Sequence, residues 1–97
     1  MMSTIENPKM TIEDLNNAEE SIKANKAKAE DYERLDKYIS FIGAPDNFLL
    51  NKLKESNVDG YEDFIYQRRV APSSNLNMLV GTALGVISIL KKHVSGK

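Results

Sequence analysis

The chain has 97 residues, a formal net charge of −1 and no cysteine. That length is one domain, because a core of this size buries only about two thirds of the unfolded surface and cannot be divided. The near-neutral balance excludes the broad basic field that drives non-specific binding to nucleic acid or anionic membranes. The missing cysteines exclude a disulfide framework and thiolate chemistry, which suits a reducing compartment. Three arginines against ten lysines, with abundant asparagine, point to an AT-rich bacterial or phage genome.

Residues 1–10 are polar, contain Pro8 and show no period, so they read as a flexible leader. Glu6, Asn7, Pro8 and Lys9 interrupt any signal-peptide core, and the chain is expected in the cytoplasm. Residues 11–97 are expected to form a single helical domain. Thr11 and Asp14 have the spacing of a capping box, and Ile12, Leu15, Ala18 and Ile22 follow at three- and four-residue steps on one helical face.

Through residues 23–31 the only apolar side chains are alanines. Opposite charges four apart take over: Glu19 with Lys23, Lys26 with Glu30, Glu30 with Arg34, Glu33 with Lys37. The stripe resumes at Tyr32, Leu35, Ile39 and Ile42, and Gly43 with Pro45 supplies a stop. Whether this long helix is continuous through its alanine-rich middle is left open by the pattern.

A short second helix is expected from residue 45 or 46 to 56, with Phe48, Leu49 and Leu53 facing inward. Asn57, Val58, Asp59 and Gly60 form a turn. Asp59 with Glu62 repeats the capping pattern for a third helix through Arg69, whose inner side is Tyr61, Phe64 and Ile65. After a Pro/Ser loop at 71–75, a last helix runs over 76–94. No β signal competes, and the expected fold class is all-α: a long N-terminal helix, two short helices and a long apolar C-terminal helix, in an oligomer.

Most of the last helix falls in the longest uncharged run of the chain, residues 70–90. At 100° per residue, Leu76, Leu79, Val80, Ala83, Leu84, Val86, Ile87, Leu90 and Val94 share one broad face. The opposite face is small rather than charged: Asn77, Gly81, Gly85 and Ser88, flanked by Met78 and Ile89. A glycine inside a helix costs about 1 kcal/mol relative to alanine, so two of them four apart call for a compensating close approach. Met78, Gly81, Gly85, Ser88 and Ile89 are the expected seam of a homo-oligomer. A membrane span needs about 20 apolar residues, more than this helix offers before Thr82 and Ser88 interrupt it, and a membrane role is not expected.

Enzyme chemistry is not expected. The only histidine, His93, follows Lys91 and Lys92 in the last turn, where it complements the helix dipole. One histidine and no cysteine leave no usual zinc ligand set, so no metal and no cofactor is predicted. Residues 61–69 hold two of the three arginines and two of the four tyrosines. Tyr61, Tyr66, Arg68 and Arg69 are the ligand-binding candidates, because a guanidinium offers planar donors to an anion and a phenol offers a stacking face.

Three functions fit. The first is a small non-enzymatic oligomer acting by binding, as an adaptor or inhibitor of a protein partner. The second is sequestration of an anionic, nucleotide-type signalling ligand between subunits. In size and helical layout the chain is similar to small phage-encoded sponges of cyclic-nucleotide defence signals, a likeness of layout that involves no shared motif. The third is a helix-turn-helix regulator built on residues 48–69. Glu62 and Asp63 would stand where such a helix meets phosphates, so nucleic acid is the least expected partner.

Overall fold

The structure is a computed structural model that describes residues 10–95. Over those residues the chain is all-helical, with five helices and no strand. They are α1 (Ile12–Lys23), α2 (Ala29–Phe41), α3 (Phe48–Glu55), α4 (Tyr61–Val70) and α5 (Ser74–Ser95).

The helix starts show how local sequence fixes the ends. Thr11 caps α1 through the expected reciprocal box: its hydroxyl accepts from the Asp14 N–H at 3.0 Å, and the Asp14 carboxylate accepts from the Thr11 N–H at 3.1 Å. Helix α4 starts differently from expectation. Gly60 is its N-cap without a side-chain bond, and Asp63, not Glu62, reaches back to the Asp59 N–H at 3.0 Å. An acid one residue further on than expected thus satisfies the Asp59 backbone donor.

The long N-terminal stretch, whose continuity the pattern left open, is two helices. Lys23 ends α1, and Asn25 turns left-handed at φ 60°. The Asn25 N–H then bonds the Ile22 carbonyl at 3.1 Å and the Lys26 N–H bonds the Ser21 carbonyl at 2.8 Å. This pair of bonds is a Schellman motif, which satisfies the last carbonyls of a helix and redirects the chain. Ala27 is buried just beyond it.

The same device ends two more helices. At the end of α2 the left-handed residue is Gly43, and the Ala44 N–H bonds the Ile39 carbonyl at 3.2 Å. At the end of α3 it is Asn57, and the Val58 N–H bonds the Leu53 carbonyl at 2.9 Å, with both of those side chains buried.

Helix α5 is the centre of the molecule and touches each of the other four. Leu76, Leu79, Val80, Ala83, Val86, Ile87 and Leu90 are buried on its inner face. They meet Leu15 and Ile22 of α1, Tyr32, Leu35 and Ile39 of α2, Leu49 and Leu53 of α3, and Phe64 of α4 in one core. One ion pair ties α1 to α5 on the outside, Glu19 with Lys91 at 2.6 Å, and within α1 Glu19 also takes Lys23 at 3.3 Å, as the spacing predicted. Met10, counted with the leader in the sequence, belongs to this core; the rest of that leader lies outside the described residues.

Candidate functional site

The outer face of α5 is the first candidate. Met78 is 70 % exposed and Ile89 52 % exposed, with Gly81, Gly85 and Ser88 exposed between and beside them. All five residues named as a seam therefore lie on one open face. Among the described residues a Cβ built on Gly81 or Gly85 would meet nothing within 4 Å, so their contacts require neither glycine. No charged side chain interrupts the face between the start of α5 and Leu90. By length and composition α5 is also long and apolar enough to cross a membrane, a test that a core helix passes as well.

The second candidate is the group Tyr61, Tyr66, Arg68 and Arg69 on α4. The structure does not point all four one way. Arg68 turns inward and donates to the Ile22 carbonyl at 2.6 Å, with a longer contact to Asn25 Oδ1 at 3.4 Å. Its guanidinium thus caps the end of α1 from across the fold. Tyr61 also turns inward, stacking on Tyr32 with centroids 6.1 Å apart and planes 6° apart. Tyr32 in turn meets Phe64 edge-on at 5.5 Å. Tyr66, 64 % exposed, and Arg69 remain on the outer side of α4.

The Tyr61 hydroxyl leads to a residue that sequence reasoning missed. It donates a short hydrogen bond to Asp36, the one buried charged side chain among the described residues. Asp36 accepts two more, from the Leu49 N–H at 2.9 Å and the Leu50 N–H at 3.1 Å. Those are first-turn donors of α3, which has no side-chain cap of its own. A carboxylate from α2 thus serves as the N-cap of α3, where the helix dipole also favours negative charge. Burial, followed by the bond to Asp36, pushes the Tyr61 hydroxyl well above the ordinary tyrosine range, and burial raises Tyr32 as well.

Beside this group lies an open hollow of about 450 Å³ lined by Glu33, Asp36, Lys37, Ser40, Asp46, Asn47, Leu50 and Tyr61. Its lining is more acidic than basic and suits no phosphate. Of the four α4 candidates, only Tyr61 faces it. Among the described residues no three His, Cys, Asp or Glu side chains gather as a metal ion would require. Asp36 carried a signal in the sequence, an acid four residues after Tyr32 and three before Ile39, beside an otherwise apolar stripe. No protein-family model matches this chain, and no curated protein or solved structure matches it either.

Proposed function

We propose that the protein is a small, non-enzymatic, cytoplasmic homo-oligomer that acts by binding, as an adaptor or inhibitor of a protein partner, with the outer face of α5 as its seam. One observation supports this reading: Gly81 and Gly85 sit mid-helix with open space where a Cβ would go, at a cost of about 1 kcal/mol each relative to alanine, and nothing among the described residues uses them. Close approach by a second helix gives that cost a purpose, and Met78 and Ile89 on either side supply apolar contact. Self-association is the simplest source of that helix, since closed homo-oligomers dominate soluble assemblies.

Size-exclusion chromatography with light scattering tests it. The expected result is an assembly whose mass is a multiple of the protomer's, lost in Gly85→Leu with unchanged helix content by circular dichroism. A strictly monomeric protein at high concentration, or an assembly that survives Gly85→Leu, overturns the seam. Sequestering of an anionic nucleotide is the alternative. It now rests on Tyr66 and Arg69, because Arg68 and Tyr61 have partners within the fold. A thermal shift with cyclic or linear nucleotides that vanishes in Arg69→Ala would select it over the adaptor.

A further inference from the structure

We draw no further inference here: the strongest candidate, the hollow of about 450 Å³ between α2 and the start of α3, is an acidic cluster whose buried carboxylate, Asp36, is already partnered by three donors within the fold, and no second feature there points to a ligand.

Discussion

Asp36 joins three helices through one carboxylate. It stands on α2, caps α3 and holds the Tyr61 hydroxyl of α4. Removing it strands backbone donors at a helix start as well as a phenol, and each unsatisfied buried group costs about 1–3 kcal/mol. Asp36→Ala is therefore expected to lower the unfolding free energy by about 3 kcal/mol in urea melts. Tyr61→Phe, which leaves the α3 cap intact, should cost about 1.5 kcal/mol, the net worth of a hydrogen bond to a charged group. Equal losses in the two variants would mean the cap contributes nothing.

Alkaline pH gives Tyr61 a second signature. Its folded pKa lies above the ordinary 10.0, so its contribution is fully present below about pH 10 and declines as pH rises towards the folded value, where only the unfolded chain ionises. Stability should fall above about pH 10, and the slope should be shallower in Tyr61→Phe, with Tyr32 supplying the remainder. A slope unchanged by the substitution would place the alkaline sensitivity elsewhere. Periodicity alone did not reveal Asp36, because an acid flanking an apolar stripe reads as solvated until the chain beyond the next turn folds back onto it.

Helix ends show the same division between local and tertiary information. Thr11 and Gly43 were legible because both signals are complete within a few residues of chain. Asn25 was not, and Asn57 was legible as the start of a turn but not as a left-handed helix end. Their abundance in the sequence looked like genome composition, yet every non-glycine residue with positive φ among the described residues is an asparagine: Asn25, Asn47 and Asn57. Asparagine tolerates the left-handed region better than other side chains carrying a Cβ; here Asn25 and Asn57 end α1 and α3, and Asn47 is the N-cap residue of α3.

Replacing Asn25 or Asn57 by alanine should thus cost about 1 kcal/mol each, while glycine at either position should be close to neutral. Paired chemical-denaturation curves decide the matter. An Asn25→Ala protein as stable as the parent would show that Arg68 on the Ile22 carbonyl and buried Ala27, rather than the turn itself, hold α1 and α2 apart. Helix content that rises in that variant would show the two helices merging.

At the scale of the molecule, α5 separates into two sides with opposite requirements. The assignment of its inner face from 100° spacing held for every residue: those named are buried or half-buried, and those opposite are exposed. Helices α1, α2, α3 and α4 together cover its inner, apolar side. The remaining question concerns the glycines, and the two faces answer it with changes of opposite sign.

Ile87 is 1 % exposed, and Ile87→Ala should cost about 2–5 kcal/mol, a large share of the total stability of a domain this size. Gly81→Ala and Gly85→Ala lie on the open face, meet no neighbour and should each raise the stability of a dilute protomer by up to about 1 kcal/mol. If the face is a seam, the same alanines hold two backbones apart. The melting temperature of the parent should then rise with protein concentration, since assembly stabilises only the folded chain, and that dependence should flatten in the double alanine variant even as its dilute melting temperature increases. Alanines that stabilise equally at every concentration would leave the two glycines without a role in assembly and sink the seam.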